Sequence, residues 1–275
     1  MSGLCAVPAT AAAAQKKVET RTVAFGKGSE QKIAVYSAGK GKKRPAILLI
    51  HGGYWWGGSR LDNKGFAQNL ARRGYVVFST GYRLSQQDPW PAQRQDVVAA
   101  LANIRGNAKK YGINPARVIV VGASAGGQLA TMLGVYGKGA AKVRGVVALS
   151  PVDDPLLGYL QGGKAGADTY TRRLRQSVVQ LLGCTPVWHD PDCWPQLTDA
   201  TPAEHAGKGD APMLLFHSTK DFVGPDHSVA LRDELKKAGV PVTVVSVPGK
   251  KHGTQMLTSK KVFNQLIRWI AARAK

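Results

Sequence analysis

Apolar runs and helix-spaced apolar positions alternate from about residue 45 to the end of the chain. That is the pattern of strands joined by crossover helices, and it predicts a mostly parallel sheet. Two short strands come first, around Thr20–Phe25 and Lys32–Tyr36. Ala46–Ile50 is a continuous apolar run, which suits a strand covered on both faces, and it empties into a glycine-rich loop, His51–Gly58. A helix from about Asp62 to Arg73 stops at Gly74, and Tyr75–Ser79 is the next strand. Ala92–Tyr111 reads as one long amphipathic helix with Val97, Leu101, Ile104 and Ala108 on one face. Arg117–Val121 is another buried strand, leading straight into Gly122–Gly127 and a helix that runs to about Gly134; Val143–Leu149 is a further strand. The scheme then resumes late in the chain, with strand Pro212–His217, helix Asp226–Ala238, strand Val242–Val247 and a terminal helix from about Gln255 to Ala274.

Between about 151 and 210 the alternation stops. The stretch carries many Gly and Pro residues, Cys184, Cys193, Trp188 and Trp194. Structureless loops of this length are uncommon in compact domains, so an insertion is expected after the sixth strand, packed as a cap or lid over one end of the sheet. The length suits a single domain. Residues 19–275 are taken as that α/β domain, and residues 1–18 as a flexible leader or signal-peptide remnant. Ala9-Thr10-Ala11 and Ala12-Ala13-Ala14 both fit the small-residue cleavage site of a secretory signal, although the charged and apolar regions that precede such a site are missing. Bulky Leu4 before Cys5 argues against a lipoprotein signal.

Charge changes the picture most. Against 17 Asp and Glu there are 38 Lys and Arg, a formal net charge of +21, which sets a positive potential over much of the surface. The basic residues are dispersed, and no nucleic-acid motif accompanies them. Adsorption to acidic surfaces is expected and a specific nucleic-acid partner is not. No run approaches the length of a membrane span. Cys184 and Cys193 read as a disulfide, ahead of two free thiols or a metal pair, because no further Cys or His completes a zinc set. With the leader, a disulfide points to a secreted or periplasmic protein, the alternative being a cytoplasmic one.

The chemistry is concentrated in a few positions. Gly122-Ala123-Ser124-Ala125-Gly126 matches G-x-S-x-G between a β-type run and a helical pattern. In that context small neighbours let a sharp turn present a serine hydroxyl as nucleophile. Acyl transfer also needs donors aimed at a developing oxyanion, and His51-Gly52-Gly53-Tyr54-Trp55 follows an earlier buried strand where such donors are wanted. His252, after the last strand and before the last helix, fits the base that comes last in chain order. His217 lies inside a strand; His189, His205 and His227 read as surface or capping residues, and His51 as a residue that ties down its loop. Asp221, a few positions past a strand end, fits the acid that orients the imidazole; Asp226 is the runner-up and reads better as a helix N-cap.

His-Gly-Gly-x-Trp followed by Gly-x-Ser-x-Gly resembles the hormone-sensitive-lipase-like and acetylxylan-esterase-like carboxylesterase branch of the α/β-hydrolases, and is similar also to kynurenine formamidases. The likeness runs from about residue 30 to 270. The segment Phe216–Pro225 resembles the strand-end segment in which that family carries its acid. The resemblance implies an α/β-hydrolase fold with a mostly parallel central sheet flanked by helices. It also implies an oxyanion hole made by the amides of Gly53, Tyr54 and Ala125, with Tyr54 standing where many relatives have a third glycine. No metal or cofactor is implied. Trp55, Trp56, Tyr82, Trp90, Trp188 and Trp194 are the aromatic residues available to wall a pocket, although each taken singly reads more readily as core or loop packing. The expected activity is hydrolysis of small-molecule or polymeric carboxylic esters, short-acyl or carbohydrate-acetyl, through an acyl-enzyme. The alternatives are an amide hydrolase such as an arylformamidase or peptidase, a polyester or lipid hydrolase, and a catalytically silent binding protein on the same fold.

Overall fold

A computed structural model describes residues 16–137, 143–187 and 190–275. Nearly all of the 1–18 leader, together with Trp188 and His189, therefore lies outside the described residues. The strands are β1 (Val18–Ala24), β2 (Lys32–Ala38), β3 (Arg44–Ile50), β4 (Val76–Thr80), β5 (Ile113–Ala123), β6 (Gly145–Leu149), β7 (Met213–Ser218) and β8 (Val242–Val247). They form one sheet in the order β1-β2-β4-β3-β5-β6-β7-β8. β1 and β2 pair antiparallel, as do β2 and β4, and every later pair is parallel.

The helices are α1 (Lys64–Arg72), α2 (Ala92–Gly106), α3 (Ala108–Tyr111), α4 (Ala125–Val135), α5 (Pro155–Gly162), α6 (Thr169–Leu182), α7 (Cys193–Ala200), α8 (Val229–Lys237) and α9 (Lys260–Arg273). Successive side chains of a strand point to opposite faces, and here both faces are covered. Ala46, Leu48 and Ile50 of β3 pack into one core with residues of α2 and α4. Ile47 and Leu49 pack into the other with residues of α1 and α9. A strand buried on both sides has no polar face, which is why its sequence is an unbroken apolar run.

The helix expected over Ala92–Tyr111 breaks at Asn107, whose φ of −103° and ψ of 21° separate α2 from α3. β5 starts at Ile113, four residues before the expected Arg117, because Ile113 pairs with Arg44 across a register shift. The terminal helix starts later than expected, at Lys260, after a 3-10 turn over Gly253–Thr258. Between β6 and β7 the stretch from 151 to 210 holds three helices, α5 to α7, followed by a 3-10 turn at Pro202–His205. A bridge joins Cys184 to Cys193 at the start of α7. Asp190 has a carboxylate beside those two sulfurs, but sulfur spent in a disulfide is no longer a thiolate ligand. Among the described residues, no helix is long and apolar enough to cross a membrane.

Candidate active site

β5 ends at Ala123 and α4 begins at Ala125, so the chain must turn from strand to helix at Ser124 alone. It does so with φ 55° and ψ −125°, a backbone state that costs a non-glycine residue of the order of 1–3 kcal/mol. The neighbours make the turn fit: a Cβ on Gly126 would meet the His51 carbonyl oxygen at 2.2 Å. The Ser124 N–H donates to Leu149 O at 2.9 Å, pinning the turn to the end of β6. Ser124 is 8% exposed.

The loop after β3 lies directly against this turn. A Cβ on Gly52 would come within 3.1 Å of the Ser124 Cβ, so only glycine lets the loop backbone approach the serine this closely. Gly53, Tyr54 and Trp55 all have positive φ, at 121°, 58° and 60°. Among the described residues, none of the amides of Gly53, Tyr54 and Ala125 is spent on a turn or loop hydrogen bond, and Ala125, as the first residue of α4, has no intrahelical acceptor. Three donors are thus unspent on the two segments that meet at Gly52 and Ser124.

What holds the loop is buried. Trp55 is fully buried, and its indole N–H donates to Gln128 Oε1 at 3.1 Å. Gln128 in turn donates to Ala200 O at 2.7 Å, tying the loop to α4 and the insertion. His51 stacks on Tyr82 with ring centroids 4.4 Å apart, donates from Nδ1 to Gly52 O at 2.8 Å, and has its carbonyl capped by the Tyr82 hydroxyl at 3.1 Å. Burial pushes the His51 imidazole below its ordinary pKa, so it is a neutral prop for the loop. Trp90 is also buried, donating to Asp199 Oδ2 at 2.7 Å. Of the two readings open for Trp55, Tyr82 and Trp90, the structure takes the core one and not the pocket one: all three are buried residues whose polar atoms are spent on packing the frame. Trp194 is half-buried against the same core, and Trp56 is half-buried 5.9 Å from Tyr54.

Asp221 and His252 come together at the ends of β7 and β8. His252 Nδ1 lies 2.9 Å from Asp221 Oδ2 and 3.1 Å from Oδ1. The Asp221 side chain is 1% exposed and that of His252 25%, so the acid is sealed in while the imidazole reaches solvent. Asp226 is exposed in a 3-10 turn and makes no capping bond to α8, which removes its expected role as an N-cap. His205 is spent on Asp199 O at 3.0 Å.

Several contributors were not legible in the sequence. Ser150 is fully buried at the end of β6 with φ 48°. Its hydroxyl donates to Asp221 Oδ2 at 2.7 Å and accepts the Gly253 N–H at 3.0 Å. Ser218, at the end of β7, donates to Lys251 O at 2.6 Å. The residues on either side of His252 are thus each held by a buried serine. The Phe222 ring lies 4.4 Å from that of His252, and Tyr54 and Tyr170 both stack on Phe222, at 6.0 and 5.7 Å. Tyr170 belongs to α6, so the insertion reaches the rim of the site.

Behind the acid loop runs a second polar chain. His217 Nδ1 donates to Val223 O at 3.0 Å, and its Nε2 lies 2.8 Å from Ser228 Oγ. Ser228 Oγ is 2.6 Å from Asp153 Oδ2, whose Oδ1 accepts from Thr131 at 2.6 Å. One hydroxyl hydrogen on Ser228 cannot serve both Asp153 and a neutral Nε2, so the chain closes only when Asp153 or His217 carries one more proton. Burial favours the neutral pair: it raises Asp153 to about 7, against the donors Ser228 and Thr131, and lowers His217 to about 4.

A family model described as BD-FAE matches residues 33–235. The chain is 27% identical to Esterase LipC of Mycobacterium tuberculosis, over 88% of this chain and 62% of that protein. It is 30% identical to an ethyl acetate hydrolase of Pseudomonas putida, over 75% of this chain and 65% of the relative. The chain thus spans less than two thirds of the length of these relatives. A solved structure described as a truncated carbohydrate esterase from gut microbiota superposes with a TM-score of 0.77 at 25% identity, covering 95% of this chain and 98% of that one.

Proposed function

The chain belongs to the BD-FAE family, within the α/β-hydrolase superfamily, and on that premise we propose that it hydrolyses carboxylic esters through an acyl-enzyme on Ser124. The observation that carries this reading is the pairing of a buried Asp221 with a solvent-reaching His252, whose neighbour Gly253 packs against Ala123, next to a serine held at a strained strand-to-helix turn. His252 takes the Ser124 proton as the hydroxyl attacks the ester carbonyl, and Asp221 stabilises the imidazolium without itself accepting the proton. The tetrahedral oxyanion rests on the amides of Gly53, Tyr54 and Ala125. Such donors are each worth about 10²–10³ in rate. His252 then returns the proton to the leaving alcohol, the acyl-enzyme forms, and water activated by the same imidazole releases the acid.

The insertion from 151 to 210 acts as the cap, with Tyr170 of α6 stacked on Phe222 at the rim. The aromatic rim of Tyr54, Trp56, Phe222 and Tyr170 closes over a short acyl group or a sugar ring. Relatives described as an ethyl acetate hydrolase and a carbohydrate esterase support that substrate range. The Cys184–Cys193 bridge supports work in an oxidising compartment.

The test is turnover of p-nitrophenyl esters from acetyl to palmitoyl, with acetylated xylan and N-formylkynurenine alongside. Activity that falls with chain length and extends to acetylated xylan is expected. Faster turnover of the formamide than of any ester would replace this reading with an amide hydrolase.

A further inference from the structure

The end of the sheet remote from Ser124 carries a cleft of about 450 Å³ between β1, β2, the start of β3 and the turn after α3. Arg44 and Gly112 line it, at the starts of β3 and β5, whereas Ser124 follows the far end of β5; the six steps from Arg44 to Ile50, which pairs with Gly122, put roughly 20 Å of strand between them. Six of its fifteen lining residues are cationic: Arg21, Lys40, Lys42, Arg44, Lys109 and Lys110; Glu19 is its one acidic residue. Over the whole chain the cationic share is 38 in 275, so the cleft concentrates positive charge well beyond the average of an already basic protein.

Among the described residues, none of the six forms an ion pair. Arg44 is held by Ser37 Oγ at 3.0 Å, Gly39 O at 3.1 Å and Tyr111 O at 3.3 Å. Those acceptors fix the guanidinium but bring no negative charge to it, and its buried Nε has no partner. Desolvation already pulls the Arg44 pKa below its usual value, the sign of a cation short of a counter-charge. A concave wall of one sign focuses its field on whatever enters.

We propose that this cleft is an anion-binding site that holds the carboxylate or sulfate groups of an acidic polysaccharide strand, anchoring the protein to a polymer. Its volume suits one or two sugar units. A lipid bilayer cannot enter a concave cleft. Single-stranded nucleic acid binds by stacking bases on exposed rings, and the one aromatic residue of the cleft, Tyr111, is 5% exposed with the Arg21 guanidinium 5.1 Å from its ring centroid. Anchoring through a second site raises the effective concentration of the polymer at the first without any new contact there.

The experiment compares binding of de-esterified polygalacturonate at low salt by the wild type, by K40E/K42E/K110E, and by K236E/K260E/K261E, which makes the same change in net charge elsewhere. All six lysines are exposed. The cleft variant is expected to bind about 10-fold more weakly or worse while the control stays close to wild type. All three are expected to turn over p-nitrophenyl acetate alike, so a failure of the catalytic reading would show in the wild type and leave this test intact. Equal weakening in both variants, or no binding by the wild type, would overturn the proposal. A thymidine oligonucleotide and phosphatidylserine vesicles run in parallel would also overturn it if their binding depended on the cleft more strongly than that of the polysaccharide.

Discussion

The Ser150 hydroxyl donates to Asp221 Oδ2 at 2.7 Å while accepting the Gly253 N–H at 3.0 Å. One buried oxygen therefore fixes both the acid that orients His252 and the residue that follows His252. A hydrogen bond to a charged group is worth about 1.5–3 kcal/mol, which corresponds to about 10- to 100-fold in rate if the transition state feels all of it.

Replacing Ser150 separates this role from a purely structural one. Ser150 sits at φ 48°, so S150G relieves the backbone where S150A does not. S150G should be the more stable of the two in urea unfolding, yet both should lose about 10-fold or more in kcat with little change in KM. If S150G recovered wild-type kcat along with stability, the hydroxyl would have no part in positioning the acid and base.

Gln128 bridges Trp55 of the oxyanion loop and Ala200 of the insertion. Q128A leaves a buried indole N–H and a buried carbonyl without partners, at a cost of about 1–3 kcal/mol each when left unmade. Denaturation should show a loss of that order, and kcat should fall because the loop carrying the Gly53 and Tyr54 amides loosens. A variant as stable and as active as the wild type would refute the coupling.

Asp153 gives a pH dependence of definite sign. Folded Asp153 keeps its proton up to about pH 7 where the unfolded carboxyl loses it near 3.8. The native state thus binds the extra proton in that window, and the stability it contributes is lost as pH rises from about 4 to 7. Buried His217 and His227, lowered to about 4 and about 3, act in the opposite sense in wild type and D153N alike and largely cancel in the comparison. The stability of D153N relative to wild type should therefore improve as pH rises through this range. Urea titrations at pH 4.5, 5.5 and 7 in which D153N loses stability relative to wild type, or holds a constant difference from it, would contradict a protonated Asp153.

The bridge between Cys184 and Cys193 leaves Cys5 as the one remaining cysteine of the chain. Thiol titration of unfolded, unreduced protein should find one reactive thiol, and three would reject the bridge. C184S/C193S should lose about 2–3 kcal/mol, since a loop of this length constrains the unfolded chain modestly, with the loss felt first in the insertion.

The strand ends were the legible part of the sequence. Ser124 could be read because it follows a strand at a turn with small neighbours, and the paired Asp221 and His252 because they follow the last two strands, where chain order puts an acid and a base. The tryptophans could not be read in the same way. An indole beside a glycine-rich loop has the same sequence signature whether it lines a pocket or, like Trp55, is fully buried against Gln128. Ser150 in Leu149-Ser150-Pro151 looks like any strand end, because its function depends on the register that sets β6 beside β7. The break at Asn107 and the early start of β5 were hidden for the same reason: the pairing of Ile113 with Arg44 is a contact across the sheet, invisible to local periodicity.

The most direct test of the account is covalent trapping of the nucleophile. Wild type and Ser124→Ala are each treated with a fluorophosphonate, digested and analysed by mass spectrometry, with p-nitrophenyl acetate turnover measured on the same samples. One phosphonyl adduct is expected, on the peptide containing Ser124, together with loss of turnover, and neither adduct nor turnover in the variant. An adduct on another residue, or ester turnover that survives in Ser124→Ala, would contradict it.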